Sequence, residues 1–262
     1  MRFKGKVIWI TGASSGLGES MARAFNAEGA NVILSARNVK ELERVKNSFT
    51  NSDAQSIIIP FDVQKYNEAE TIAQIAIKAF GRIDILVNNA GISQRSLAKD
   101  TSFKDELTVI EVDLIGTIAL TKAVLTEIIK QKGQIVVISS VMGKINTKYR
   151  TAYAAAKHGV IGYFESLRLE MMEEGVNVLT ILPGFIATNI VKNAIGTTYK
   201  ITHNSQNNLG LQPDVFAKKA LASIHKRKAY VYIGGYKEKM AMLLKRLSPS
   251  LFDKIIVNQK VT

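Results

Sequence analysis

The sequence predicts an α/β fold, a doubly wound parallel sheet with helices on both faces. Two observations predict it. Short β-type runs alternate with longer segments of helical periodicity from the first residues onward. The runs are continuously apolar rather than alternating, as expected of strands buried on both faces. The 262 residues, 47% apolar, supply a core large enough for this arrangement. No linker, internal repeat or low-complexity stretch interrupts the chain, so residues 1–262 read as a single domain.

In order, the expected strands are VIWI (7–10), NVILSA (31–36), SIIIPF (56–61), DILVNNA (84–90), QIVVISS (134–140), NVLTILP (177–183) and YVYI (230–233). Helical spacing of apolar residues marks Gly18–Glu28, Glu68–Phe80 and Phe103–Ile129, and PDVFAKKALASIHKRK (213–228) reads as a further helix. TAYAAAKHG (151–159) belongs to another, because positions four apart share one helical face and place Tyr153 above Lys157.

Composition excludes several functions. With no cysteine, disulfides and thiolate metal sites are absent, and His158, His203 and His225 stand too far apart for metal-ligand spacing. The N-terminus carries too short an apolar run for a secretory signal, and no stretch approaches the roughly 20 apolar residues of a membrane span. A cytoplasmic protein is expected, with at most peripheral membrane contact. The net charge of +13 concentrates late, with eleven Lys and Arg against Glu238 and Asp253 from Lys218 to Thr262. No nucleic-acid-binding signature accompanies it, and no nucleic-acid partner is expected.

The first strand runs into TGASSGLG (11–18), which opens a helix. Strand, glycine-rich turn and helix in that order form a dinucleotide fingerprint: Gly12 and Gly16 permit a tight turn and close approach to a pyrophosphate, Gly18 permits close helix packing, and the helix N-terminus offers free N–H groups. Where an acid at the end of the second strand would bind a ribose hydroxyl, this chain has Arg37. A guanidinium there accommodates a 2′-phosphate, favouring NADP(H) over NAD(H); the alternative is a solvated loop arginine. For Tyr153 and Lys157, an ammonium one turn away favours the ionised form of a phenol, which suits the tyrosine to proton transfer.

Four motifs in register, TGASSGLG at 11–18, NNAG at 88–91, a serine thirteen residues before YxxxK, and PGFIAT at 183–188, resemble the short-chain dehydrogenase/reductase family along almost the whole chain, and the C-terminal half is similar to its member 7-like branch and to its hydroxysteroid dehydrogenase-like members. The resemblance implies a Rossmann-type domain that transfers a hydride between a nicotinamide and a carbonyl or alcohol carbon. Tyr153 is then the general acid/base, Lys157 the cation that assists it and holds the nicotinamide ribose, and Ser140 the hydroxyl bonded to the substrate oxygen. Ser14, Ser15 and Leu17 join the glycines of the cofactor turn; Asp62 and Val63 flank the adenine; Asn89, Ala90 and Gly91 line the adenosine side; Pro183, Gly184, Ile186 and Thr188 border the nicotinamide. Asp62 also reads as a strand-end cap and Thr188 as a helix N-cap. One departure is Asp113, which stands where the family usually carries an asparagine supporting a proton relay.

Residues 189–213 are expected to form a lid or a plain surface loop, and the tail 236–262 a basic amphipathic helix. Met240, Leu243, Leu244 and Leu247 repeat at helical spacing there, to pack on the body or a neighbouring subunit, or to lie on an anionic membrane carrying lipophilic substrates. The resemblance implies a small-molecule substrate and a homodimer or homotetramer. A non-catalytic NADP(H)-binding regulator is the alternative function, disfavoured because the whole proton-transfer set is present.

Overall fold

The computed structural model describes residues 1–188, 190, 194–196 and 210–258. Seven parallel strands form one sheet: β1 (Val7–Thr11), β2 (Asn31–Ser35), β3 (Ser56–Ile58), β4 (Ile85–Asn88), β5 (Gln134–Ile138), β6 (Asn177–Pro183) and β7 (Tyr230–Ile233), in the order β3-β2-β1-β4-β5-β6-β7. The chain winds outward from β1 to β3, returns to the other side of β1 and winds outward again to β7. The strand order therefore reverses between β1 and β4, where the carboxyl ends of both strands open a crevice for a ligand.

Each strand feeds two cores. In β1, Ile8 and Ile10 enter one core while Val7 and Trp9 enter the other. The first core is closed by α1 (Gly16–Ala27), α2 (Val39–Asn47) and α7 (Pro213–His225), through Met21, Phe25, Leu42, Phe216 and Leu221. The second is closed by α3 (Ala69–Phe80), α5 (Gly116–Lys130) and α6 (Thr151–Met171), through Ala73, Val124 and Phe164. Each such large side chain, fully withdrawn from water, contributes roughly 1.5–3 kcal/mol. Trp9 satisfies its indole by donating to Ser35 Oγ at 2.8 Å, and Ser35 donates on to the Ile59 carbonyl at 2.7 Å, tying β1 to β2 and the chain beyond β3.

Local chemistry sets the ends of the helices. Asn38 caps α2 by accepting from the Glu41 amide, Pro213 begins α7 where no amide is needed, and Gly81, at φ +71°, stops α3 in a left-handed turn. Strand β3 is shorter than its apolar run, although the Ile59 and Phe61 amides still donate to the Leu34 and Ala36 carbonyls at 3.0 and 3.2 Å; Pro60 between them faces the free edge of the sheet, where no ladder N–H is needed.

Two expectations are corrected. The run from Phe103 is not one regular helix: α4 (Phe103–Ile110) passes through a π-helical turn at Glu111–Ile115 before α5. A side chain at Gly116 would meet the Val63 carbonyl at 2.1 Å, so the helix crosses the strand ends closely at the point where it widens. The tail is likewise not one helix. It forms α8 (Tyr236–Leu247) and α9 (Pro249–Ile256), divided at Pro249, and the inward residues are Phe252 with Ala241, Met242, Leu244 and Ile256 rather than the row Met240, Leu243, Leu244 and Leu247. Most of the expected lid lies outside the described residues. Its two ends pair with the body, Ile195 with Gln94 and Leu211 with Ile186.

Candidate active site

The glycine-rich turn and the NNAG segment lock together at the strand-order reversal. Thr11 Oγ1 accepts the amides of Asn89 and Ala90, both at 3.0 Å, and Asn89 Nδ2 donates to the carbonyls of Thr11 and Gly12 at 2.9 and 3.2 Å. Gly12 (φ +63°) abuts Ala90, and a side chain at Gly18 would lie 2.2 Å from the Gly12 carbonyl. Among the described residues, Gly16 (φ +57°) instead faces only the Thr188 side chain, at 3.4 Å from where a Cβ would stand. The Ser15 side chain makes no capping bond at the start of α1. The α1 amides are thus not capped by this serine, and a helix N-terminus with a bare glycine beside it fits an anionic pyrophosphate.

A second cluster forms at the ends of β4 and β5. Ser139 and Ser140 diverge as neighbours in extended chain must: Ser139 donates to the Lys157 carbonyl at 3.1 Å, while Ser140 Oγ accepts the Met142 amide at 3.1 Å, and its own O–H is not used in that bond. Tyr153 is buried on α6, with Lys157 Nζ 5.7 Å and Arg150 Cζ 5.5 Å from its ring centroid. Lys157 Nζ reaches Asp113 Oδ2 at 3.1 Å and the Ile138 carbonyl at 3.4 Å, and Asp113 Oδ1 accepts the Ile92 amide at 2.7 Å. A side chain at Gly91 would press on both members of the Asp113–Lys157 pair, at 3.3–3.4 Å. Burial draws the Lys157 ammonium down, but the Asp113 carboxylate, with Tyr153 and the direct hydrogen bond, more than reverses this and holds it above the ordinary lysine range.

The remaining expected site residues fall around these clusters. Arg37 is exposed just past β2 and makes no hydrogen bond or ion pair with other described residues. Asp62 accepts the Gln64 amide at 3.1 Å, as a strand-end cap does, and Val63 packs in the second core. Leu17 and Ile186 pack against the first core, while the Ser14 carbonyl accepts from Arg44 at 3.3 Å. Pro183 ends β6, and a side chain at Gly184 would collide with Glu238, Tyr232 and Gly234. The Thr188 amide donates to the Ile186 carbonyl at 2.8 Å in a tight turn, and most of the segment for which it would be the N-cap lies outside the described residues.

Three residues escaped the sequence reading. Arg44 clamps Glu19, Glu41 and the glycine-rich turn. Gln94 Oε1 caps α6 from a distant loop, accepting the Ala152 amide at 2.8 Å and the Tyr153 amide at 3.5 Å. Arg150 lies buried against Tyr153; its only sequence signal is a cation at a helix N-terminus, which the helix dipole disfavours.

The family model for short chain dehydrogenase matches residues 6–197. The chain belongs to the short-chain dehydrogenase/reductase family. It is 36% identical to dehydrogenase/reductase SDR family member 7B of Rattus norvegicus, over 97% of this chain and 81% of that protein. Identity is also 36% with dehydrogenase/reductase SDR family protein 7-like of Drosophila melanogaster, over 98% of this chain and 81% of that one. Among solved structures it resembles an alcohol dehydrogenase from Thermococcus sibiricus complexed with 5-hydroxy-NADP, with TM-score 0.77 and 25% identity over 89% of this chain and 97% of that one. A family of nicotinamide-dependent oxidoreductases thus accounts for both clusters. Ser140, Tyr153 and Lys157 gather at the same end of the sheet as the glycine-rich turn.

Proposed function

We propose that this protein is an NADP(H)-dependent oxidoreductase acting on a carbonyl or secondary alcohol with a substantial apolar body. The observation that carries the reading is the buried row of Asp113, Lys157 and Tyr153, with Ser140 at the end of the neighbouring strand. When bound, the nicotinamide supplies or takes the hydride. Gly12, Gly16, Gly18 and the α1 N-terminus would hold its pyrophosphate, and Arg37 its 2′-phosphate. Asp62 and Val63 would flank the adenine, and Thr188, whose side chain faces Gly16, would meet the nicotinamide half.

In the reductive direction Ser140 donates its O–H to the substrate oxygen and Tyr153 gives that oxygen its phenolic proton. Lys157, kept charged by Asp113, stabilises the phenolate left behind. In the oxidative direction the same phenolate takes the alcohol proton. Val109, Val141, Met142, Ile145 and Phe252 form an apolar cluster with Tyr153, which supports an apolar substrate body.

The outer faces of α4–α6 expose Phe103, Leu107, Ile115, Leu169 and Met172, which suits pairing of two copies as a dimer or tetramer. The tail exposes Leu243, Leu247, Leu251 and Ile255 among lysines, which suits peripheral contact with an anionic membrane from a cytoplasmic location. No helix among the described residues is long and apolar enough to cross a membrane. The test is NADPH oxidation, followed by absorbance, across long-chain and small carbonyls with NADH in parallel. Turnover with NADPH supports the reading; tight cofactor binding with no carbonyl reduced overturns it.

A further inference from the structure

Arg150 is the one member of the Tyr153 cluster for which proton transfer gives no reason. It is 9% exposed, its Nη1 donates to Ser93 Oγ at 2.6 Å, and its Cζ lies over the Tyr153 ring. No carboxylate of the described residues comes within the 4.0 Å of an ion pair. Glu106, close by in the fold, instead accepts from Thr151 Oγ1. Residues 189–209 and 259–262 contribute no aspartate or glutamate.

A buried guanidinium without a carboxylate is costly, and burial depresses its proton affinity here. The position adds to the cost. Arg150 is the N-cap of the 21-residue α6, at the positive end of the helix dipole, with no acid in the first turn. The preceding residue, Tyr149, is held at φ +69°, a left-handed conformation that non-glycine residues adopt at a penalty. The fold thus spends stability to keep a positive charge between the catalytic tyrosine and the Ser93–Gln94–Arg95 segment. That segment meets the substrate-side chain at Ile195, whose amide donates to the Ser93 carbonyl at 2.7 Å.

We propose that Arg150 is an anion subsite of the substrate cleft, so that the carbonyl compound carries a carboxylate or phosphate group joined to an apolar body. The anion is the missing partner of the guanidinium, and the cluster of Val141, Met142, Ile145 and Phe252 receives the apolar part. The inference deepens the oxidoreductase reading and depends on it only for calling the ligand a substrate.

The test is calorimetric binding of decanoate, decyl phosphate and decanol to the protein loaded with NADP⁺, which requires no turnover, with Arg150→Met alongside. A charge-assisted bond predicts that one or both anions bind about 10- to 100-fold more tightly than decanol, and that Arg150→Met removes the difference. The preferred anion distinguishes carboxylate from phosphate. Arg150→Met also removes an uncompensated charge, so its Tm should equal or exceed that of the wild type, whereas an arginine serving only to brace Ser93 would lower it. Equal binding of all three ligands, or preference for an anion that survives Arg150→Met, overturns the subsite. If the anions bind as predicted but no carbonyl is ever reduced, the subsite stands and the oxidoreductase reading falls.

Discussion

Asp113 Oδ2 lies 3.1 Å from Lys157 Nζ, and both side chains are buried. A carboxylate at this position places a full negative charge where the family usually has an amide. Its consequence is a lysine held above its ordinary range in a site whose burial pulls the ammonium down.

Asp113→Asn tests this. Without the carboxylate, burial acts on Lys157 with less opposition, so the ammonium loses its proton at lower pH. The alkaline limb of the kcat/KM profile should move to lower pH by about one unit or more. Stability follows the same sign. The folded pKa of Lys157 is raised, so its charge stabilises the fold below the unfolded lysine pKa and that contribution vanishes as pH climbs through the folded value, while burial raises the Asp113 carboxyl too and offsets part of it at neutral pH. Urea melts at rising pH should show the stability difference between wild type and variant moving in the variant's favour only in strong alkali. A pH profile identical to wild type would show that the pair does not govern the proton-transfer step.

Arg37 is exposed and has no bonded partner among the described residues, so removing it should leave the fold intact. Arg37→Ser should weaken NADPH binding about 10- to 100-fold, the loss of one strong charge-assisted contact, while leaving NADH binding unchanged. Quenching of intrinsic fluorescence on titration with each nucleotide measures both. Equal weakening of the two would assign Arg37 no role in choosing between them.

Phe252 is 2% exposed and belongs to the same apolar cluster as Tyr153. Ala241, Met242, Leu244 and Ile256 pack beside it, and Glu238 Oε1 accepts the Phe185 amide at 2.9 Å. Phe252→Ala should cost up to about 3–5 kcal/mol if the tail and body unfold together, and less if the tail opens alone. Limited proteolysis should then cut first within α8–α9. KM for an apolar carbonyl should rise while NADPH affinity holds.

Asp84 gives the fold its acid sensitivity. It accepts from the Val7 amide, Lys6 and Arg82, fastening the starts of β1 and β4. Burial pushes its carboxyl up, but these three donors outweigh burial and hold it below the ordinary aspartate range. With a depressed folded pKa, the stabilisation is present above the unfolded value near 4 and disappears as pH falls through the folded one. Asp84→Asn should cost about 1–3 kcal/mol in a urea melt at neutral pH, and the gap from wild type should close below about pH 4.

Much of the fold was legible because parallel strands buried on both faces must be apolar throughout. Each of the seven runs, from VIWI to YVYI, became a strand of the sheet. The glycine-rich turn was legible for a related reason, since only glycine tolerates the collisions that a side chain would meet at Gly12 and Gly18. Contacts distant in sequence were not legible. Nothing local to Gln94 marks it as the cap of a helix 58 residues away, and nothing local to Asp113 aims it at Lys157. The π-helical turn at Glu111–Ile115 was equally hidden, because it preserves helical periodicity on either side. In the tail, the spacing of Met240, Leu243, Leu244 and Leu247 announced an amphipathic helix, yet the break at Pro249 and the anchoring by Phe252 depend on the cluster it meets.

The central claim is that Tyr153 passes a proton to a carbonyl oxygen as a hydride arrives from the nicotinamide. Deuterium-labelled NADPH offered with a reducible ketone, with product alcohol analysed by mass spectrometry, tests it most directly in wild type and Tyr153→Phe. The account predicts deuterium in the wild-type alcohol and a loss of product formation of at least about 100-fold in the variant, the usual worth of a positioned acid. Undiminished deuterated alcohol from Tyr153→Phe would contradict it.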